Sequence, residues 1–303
     1  MRALFSAISG MRSHMTYMDV IGNNIANVNT TSYKTARVIF ADVLGQTLRE
    51  ATTPTVGGRG GTNPGQIGLG TSVGGINVNM AQGNLLATGK GTDLSIQGDG
   101  FFVVNDGNFD YFTRDGAFDV DATGTLVNMN TGMKVQGWLA TFGPYAAPVI
   151  PAFPGPQPTT AIVVNRGDGK DGTPFSAPPA AGVPTLVAFS IGSNGALTGV
   201  YSDGSNQVLA QIAIASVVNP SGLLRAGQNN FKNSLNSSNG PAALGAADRP
   251  GRGSIISGTL EGSNVDLASE FANIIIAQRG FQANTRVISA ADQLLQDLVN
   301  IVR

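Results

Sequence analysis

The sequence predicts an α+β protein: N- and C-terminal coiled-coil helices paired at one end of an elongated molecule, with a mainly antiparallel β domain and a small Pro/Ala-rich insertion. Three observations lead there. Both ends carry long apolar stripes at helical spacing, and the middle breaks into short apolar or alternating runs separated by Gly-containing turns. A stretch dense in Pro and Ala interrupts the second half.

The first helix is read from Leu4, Ile8, Met11, Met15, Met18, Ile21 and Ile25, which recur every third or fourth residue and so form one narrow apolar stripe. The last is read from Leu267, Phe271, Ile274, Gln278, Phe281, Thr285, Ile288, Asp292, Leu295, Val299 and Val302, a heptad-like repeat with three polar members. Ala291 and Leu298 flank that seam. Ser263 and Asn264 are expected N-caps, with Asp266 and Glu270 near the positive helix end and Arg303 at the other. At 1.5 Å rise per residue the two helices span roughly 40 and 55 Å. A hairpin of that length cannot cover both of its sides. Two readings follow: an intramolecular coiled coil alone, or a helix pair that packs against copies of itself, with Phe5, Val20, Ile275, Ile276 and Leu294 adding contacts.

Strand-like runs lie at 76–80, 94–96, 101–104, 111–113, 117–120, 125–127, 134–139, 208–216 and 254–260. Turn signals fall between them at Gly98-Asp99-Gly100, Asp106-Gly107, Asp115-Gly116 and Thr123-Gly124, which favours hairpins over crossover helices. The expected organisation is therefore an inner helical domain from 1–44 plus 259–303, a Gly/Pro-rich linker at 45–70, a β domain from 71–140 plus 191–258, and a Pro/Ala-rich insertion at 141–190. One hairpin is expected in the insertion, pairing 161–165 with 186–191.

Composition excludes several kinds of chemistry. The chain has 303 residues, one His and no Cys, so disulfides, thiolate nucleophiles, iron–sulfur clusters and cysteine zinc sites are ruled out. Only 12% of residues are charged and the formal net charge is −1, which offers no basic footprint for nucleic acid or an anionic membrane. Near-neutral, charge-poor surfaces also favour self-association. No apolar run reaches membrane-span length, and the N-terminus, with Arg12, His14 and Asp19 following its first apolar residues, reads as mature structure without a cleaved signal peptide. Neither nucleic acid nor membrane insertion is expected, and no cofactor, metal or catalytic residue is assigned.

Asp119-Val-Asp121-Ala-Thr123-Gly124 copies the first half of an EF-hand calcium loop, but Asn130 stands where the closing Glu belongs and the flanks read as strands, so it is taken as a hairpin turn. The Asp residues between 93 and 121 mostly adjoin Gly or lie in turns, which argues against a glycosidase carboxylate pair. Neither 57–61 nor 89–92 has the spacing of a phosphate loop. His14 is a boundary packing residue on the first helix. Asn23, Asn24 and Asn27 are poor helix formers that can stop the helix or hydrogen-bond to neighbouring subunits.

At these asparagines, in the run Met18-Asp19-Val20-Ile21-Gly22-Asn23-Asn24-Ile25-Ala26-Asn27-Val28-Asn29, the sequence resembles the bacterial flagellar rod and hook axial proteins. Matching segments follow in order: Gly98-Asp99-Gly100-Phe101 within 93–104, Tyr111-Phe112-Thr113-Arg114-Asp115-Gly116, Gly258-Thr259-Leu260-Glu261-Gly262, and Gln278-Arg279-Gly280-Phe281 within 277–284. Lys134-Val135-Gln136-Gly137-Trp138 and Gly199-Val200-Tyr201-Ser202-Asp203-Gly204 look hook-like, with the distal rod as the other reading. The resemblance implies a non-enzymatic structural subunit whose helices line a channel and whose β domain forms a tube wall. It also implies export through the flagellar type III apparatus and an extracellular place in the flagellum. The implied partners are copies of itself and the rod, hook cap and hook–filament junction proteins. Leu4, Phe5 and Ile8 approximate an export-gate recognition pattern of that family.

Overall fold

In the computed structural model, which describes residues 2–54, 60–139, 159–164, 186–238 and 242–301, the chain forms two units. The first unit holds the helices α1 (Arg2–Ala26) and α2 (Leu267–Ile301) together with β1 (Ala36–Asp42), β2 (Gln46–Arg49), β3 (Gly65–Ile67) and β4 (Thr71–Val78). Asparagines end α1: the Asn27 N–H donates to the carbonyls of Asn23 and Asn24, both at 3.2 Å, and its Nδ2 to the Asn23 carbonyl at 2.9 Å. Side-chain amides compete with the helical ladder in this way, and the chain leaves the helix.

The N-cap of α2 is Asp266. Its Oδ1 accepts from the Ala268 N–H at 3.0 Å and its Oδ2 from the Ser269 hydroxyl at 2.9 Å. Those bonds, that from Ser269 foremost, hold the Asp266 carboxyl below the ordinary aspartate range. The expected caps are corrected accordingly. Asn264 instead donates its N–H to Tyr33 O at 3.3 Å and its Nδ2 to Ala81 O at 3.0 Å.

β1 and β4 pair antiparallel from Ala36↔Val78 to Asp42↔Thr71, with an irregularity between Ile39 and Phe40. The stretch expected as an extended linker is structured on both sides of 55–59: β2 pairs antiparallel with β3, and Thr52 bridges Thr62. Side chains add to this pairing: Gln66 Nε2 of β3 donates to Thr47 Oγ1 of β2 at 3.2 Å, and at the bridge beyond the strands Thr52 Oγ1 and Thr62 Oγ1 lie 2.9 Å apart.

The second unit takes the connector Asn29–Tyr33 and the remaining strands. These are β5 (Leu85–Ala87), β6 (Leu94–Gln97), β7 (Phe101–Asn105), β8 (Asp110–Thr113), β9 (Phe118–Val120), β10 (Leu126–Asn128), β11 (Lys134–Leu139) and β12 (Thr160–Ala161). They continue with β13 (Leu186–Ile191), β14 (Ala196–Tyr201), β15 (Asn206–Ile212), β16 (Ile214–Ser216), β17 (Leu224–Gly227), β18 (Asn230–Lys232), β19 (Ala243–Gly245), β20 (Ser254–Ser257) and β21 (Thr259–Glu261). The main sheet runs β13-β14-β15-β11-β7-β8-β18-β17, while β6 pairs β20 and β5 pairs β21. Boundaries therefore differ from the expectation: β4 groups with the helices, and β21 groups with the β unit. The hairpin expected within 161–191 is also corrected, since β12 pairs with β11 and β13 with β14. Asn165 and most of 141–190 lie outside the described residues.

β7 explains the double core. Its side chains alternate, so Phe102 and Val104 join one buried cluster with Phe118, Leu126, Leu209 and Ile214, while Phe101 and Val103 join another with Phe112, Ala213 and Phe231. A strand buried on both faces needs a continuous apolar run, and Phe101-Phe102-Val103-Val104 is one. The turn before it needs glycine. Gly98 and Gly100 have φ of +104° and +127°, and a Cβ on Gly100 would fall 2.5 Å from Ile214 Cγ2.

Candidate assembly surface

α1 and α2 run antiparallel. Gly10 lies opposite Asn284, His14 opposite Gly280, and Asn24 opposite Glu270. The close approach is set by small residues: Ala7, Gly10, Ser13 and Ala277 are buried, and Gly280 abuts the imidazole of His14. On its other flank α1 meets β4 through serines. Ser9 Oγ accepts from the Thr71 N–H at 3.2 Å, and Ser13 Oγ donates to Thr71 O at 3.4 Å. The β1 residue Phe40 packs against His14 and Tyr17, with ring centroids 5.8 and 5.5 Å apart. His14 is thus a packing residue, as expected.

This contact line is offset from the apolar seam read in the sequence. Of the α1 seam, Ile21 is buried, Leu4, Ile8, Met11, Met18 and Ile25 are half-buried, and Met15 is exposed. Of the α2 seam, Ile274, Phe281 and Ile288 are half-buried, whereas Leu267, Phe271, Leu295 and Leu298 are exposed. Val302 lies outside the described residues. Outside the seam, Phe5, Ile275, Ile276 and Leu294 are also exposed, by 70%, 51%, 61% and 70%. The helix pair consequently buries its small residues internally and presents large aliphatic and aromatic side chains outward.

Asn24 ties three elements together. It is 1% exposed, its Oδ1 accepts from the Ala36 N–H at 3.0 Å, and its Nδ2 donates to Ala36 O at 2.9 Å and to Glu270 Oε1 at 3.1 Å. Burial pushes the Glu270 carboxyl above its ordinary value, opposed by the hydrogen bonds from Asn24 and Asn273. Burial, helped by the charge of Glu270, likewise raises the Tyr17 phenol. Asn23 is exposed and accepts from Asn27 Nδ2 at 3.1 Å. Gln278 and Arg279 face outward beside the half-buried Gly280 and Phe281.

In the second unit the quoted segments converge on a buried ion pair that the sequence alone did not single out. Arg114 Nη1 lies 3.4 Å from Glu261 Oε2, with the two side chains 5% and 0% exposed. Arg114 also donates through Nη2 to Gly98 O at 2.8 Å and stacks 5.2 Å from the Phe101 ring centroid, while Glu261 Oε1 accepts from the Gly83 N–H at 2.9 Å. Burial lowers the Arg114 pKa and the Glu261 charge opposes that shift. The only sequence signal was that 98–101, 111–116 and 258–262 belong to the matched segments; pairing between them has no local signature.

The calcium-like segment is a turn. Asp121 Oδ1 accepts from the N–H groups of Thr123 and Thr125 at 2.9 and 2.8 Å, and Asp119 pairs with Lys90 Nζ at 3.0 Å. The side-chain hydrogen bond from Thr123 is the first cause that lowers the Asp121 pKa, and that from Lys90 the first that lowers Asp119. Asn130 donates to the buried Asp115 at 2.8 Å. Among the described residues no group of three or more His, Asp and Glu side chains is arranged to hold a metal ion, and no helix is long and apolar enough to cross a membrane.

Three family profiles match along the chain: flagella basal body rod protein over 4–34, flagellar hook protein FlgE/F/G D1 domain over 95–199, and flagellar basal body rod FlgEFG protein C-terminal over 256–301. The flagellar basal-body rod protein FlgG of Bacillus subtilis is 40% identical, with 100% of both chains covered. The chain belongs to the flagellar rod and hook axial family. The flagellar hook protein FlgE of Borreliella burgdorferi is 30% identical over 99% of each chain. That of Helicobacter mustelae is 47% identical over 46% of this chain and 31% of its own. A flagellar axial structural subunit has surface that must be covered by other subunits. The outward apolar side chains of α1 and α2 are the feature of this axial protein that fits that need.

Proposed function

We propose that this axial protein is a hook subunit, which polymerises into a curved tube that transmits motor torque to the filament. The observation that carries the self-assembly is the helix pair whose internal contact consumes small residues and leaves Phe5, Met15, Phe271, Ile276, Leu294 and Leu298 exposed. Such a stripe is stable in water only when neighbours cover it. The hook assignment is supported by the 47% identity to the Helicobacter mustelae hook protein and by the hook-like segments at 134–138 and 199–204.

A distal rod subunit, forming a straight drive shaft, is the second reading. It is favoured by length: the Bacillus subtilis rod protein aligns across 305 positions, whereas the Borreliella burgdorferi hook protein needs 442. Electron microscopy of cells lacking the gene separates the two, since loss of the curved tube supports the hook and loss of the shaft beneath it supports the rod. Under either reading the other subunits are copies of this chain and adjoining axial, cap and junction proteins. The chain reaches the outside through the flagellar type III apparatus, with Leu4, Phe5 and Ile8 contacting its gate.

Assembly itself is tested by ending the chain before Leu267. That truncation spares β21 and the Arg114–Glu261 pair, so the β unit should remain folded by near-ultraviolet circular dichroism and should fail to polymerise. Tubes formed by the truncated chain would refute the role given to the helices.

A further inference from the structure

We infer that the connector Asn29–Tyr33 is a latch: residues from the last part of the β unit hold it down, and a strained serine lets it open while the rest of that unit stays folded. The device works within one chain and does not depend on how copies meet.

The backbone of the connector is taken up by residues distant in sequence. The Thr31 carbonyl accepts from Asn229 Nδ2 at 2.7 Å, the Ser32 N–H donates to Glu261 O at 2.8 Å, and the Tyr33 carbonyl accepts from the Asn264 N–H at 3.3 Å. The Arg225 guanidinium covers the Tyr33 ring at 5.3 Å from its centroid. Asn229 sits in the turn between β17 and β18, and Glu261 ends β21. These partners are therefore in place only once the last strands of the unit have paired, and each contact closes a long loop. The connector following α1 is anchored late, by structure built elsewhere in the chain.

Ser32 carries two local penalties at the centre of this contact. Its φ is +58°, a left-handed conformation that is costly for a residue with a Cβ. Its residue is 1% exposed, and its hydroxyl has no hydrogen-bond partner among the described residues. Four non-glycine residues among those described have left-handed φ, and two of the others, Gln228 and Asn229, form the turn that reaches Thr31. There the conformation suits a two-residue hairpin loop, with Gly227 paired to Asn230. Ser32 lies in no hairpin, so its strain is held in place only by the contacts around it. Strain imposed in that way is a property of segments that switch. The penalties at Ser32 offset part of what the bonds to Asn229, Glu261 and Asn264 contribute, which places the connector at the weakly held end of the unit. Opening frees the chain between α1 and Lys34 while β7 and the two cores that it divides remain packed.

Hydrogen exchange of the full-length chain, read amide by amide under native conditions, tests the latch. The amides of residues 32 and 264 should open together and exchange well ahead of those of Phe102 and Val103 in β7, a strand paired on both sides. Ser32→Gly removes both the left-handed strain and the buried hydroxyl, so it should slow exchange at 32 and 264 about tenfold and leave β7 unchanged. Asn229→Gly keeps the conformation of the turn and removes the donor to Thr31 O, so it should quicken the same two amides about fivefold. The latch is overturned if residues 32 and 264 exchange no faster than β7, which would mean that the connector opens only when the whole unit unfolds. It is equally overturned if Ser32→Gly leaves their exchange unaltered or quickens it, or if the variant slows β7 by the same factor.

Discussion

Gly280 of α2 stands so close to the His14 ring of α1 that a Cβ placed on it would lie 2.5 Å from Cε1 and 2.6 Å from Nε2. One helical turn or so further along, a Cβ on Gly10 would lie 2.8 Å from Asn284 Nδ2. Each helix thus contributes a glycine where the other contributes a side chain. Alanine in an unconstrained helix is favoured over glycine by about 1 kcal/mol, but overpacking a filled contact costs about 1–3 kcal/mol. Gly280→Ala should therefore destabilise the helix pair, whereas Gly22→Ala, whose Cβ would meet nothing within 4 Å, should stabilise it. Urea unfolding followed by far-ultraviolet circular dichroism distinguishes the two. Equal and stabilising effects would show that the helices do not approach as closely as Gly280 and His14 indicate.

Much of the fold was legible because hydrophobic periodicity reports it directly. Both long helices and the strands from β6 to β11 follow from spacing and from turn glycines such as Gly98 and Gly100. The helix contact was not legible, because Ala7, Gly10, Ser13, Ala277 and Gly280 carry no hydropathy peak, while the outward Leu and Ile side chains do. Several members of the strongest stripes, Met15, Phe271 and Leu298 among them, lie on the exposed side of the pair. The Arg114–Glu261 pair was hidden for another reason: its members are far apart in sequence and are brought together only when β21 and the β8 end meet the turn at Gly98. Pairing of β2 with β3 was obscured by the glycines and prolines between them, which read as a linker.

Glu261 and Arg114 form a buried ionic contact in the β unit. Removing one member of a buried pair leaves the other charge without compensation, at a cost of about 3–5 kcal/mol. Glu261→Ala also strips the Gly83 N–H of its acceptor at 2.9 Å. The variant should unfold at markedly lower urea concentration than the parent. Glu261→Gln, which keeps an acceptor for Gly83, should fall between them. Replacing Lys90, whose partner Asp119 is 44% exposed, should change stability by less than about 1 kcal/mol. Similar losses at the buried and exposed pairs would contradict the assigned environments.

Glu270 should make the helix pair more stable on mild acidification. Its folded-state pKa is raised above the ordinary value of 4.5 by burial, so between those two values the folded chain holds more protons than the unfolded chain. Stability then falls as pH rises through that window, and the loss persists above it. Asp266 acts in the opposite sense, because its pKa is lowered and the stability it lends is lost only as pH falls below its ordinary value of 3.8. The two windows lie on opposite sides of about pH 4, so a melting-temperature profile separates them. Glu270→Gln keeps an acceptor for Asn24 Nδ2 and removes the ionisable group, so the rise in melting temperature between neutral pH and the Glu270 window should vanish while the acid limb remains. Asn24→Ala removes a hydrogen bond that lowers the Glu270 pKa and leaves the Ala36 N–H without its 3.0 Å acceptor. That variant should shift the Glu270 window upward and lose about 1–3 kcal/mol. A profile in which Glu270→Gln tracks the parent at every pH would exclude Glu270 as the titrating group.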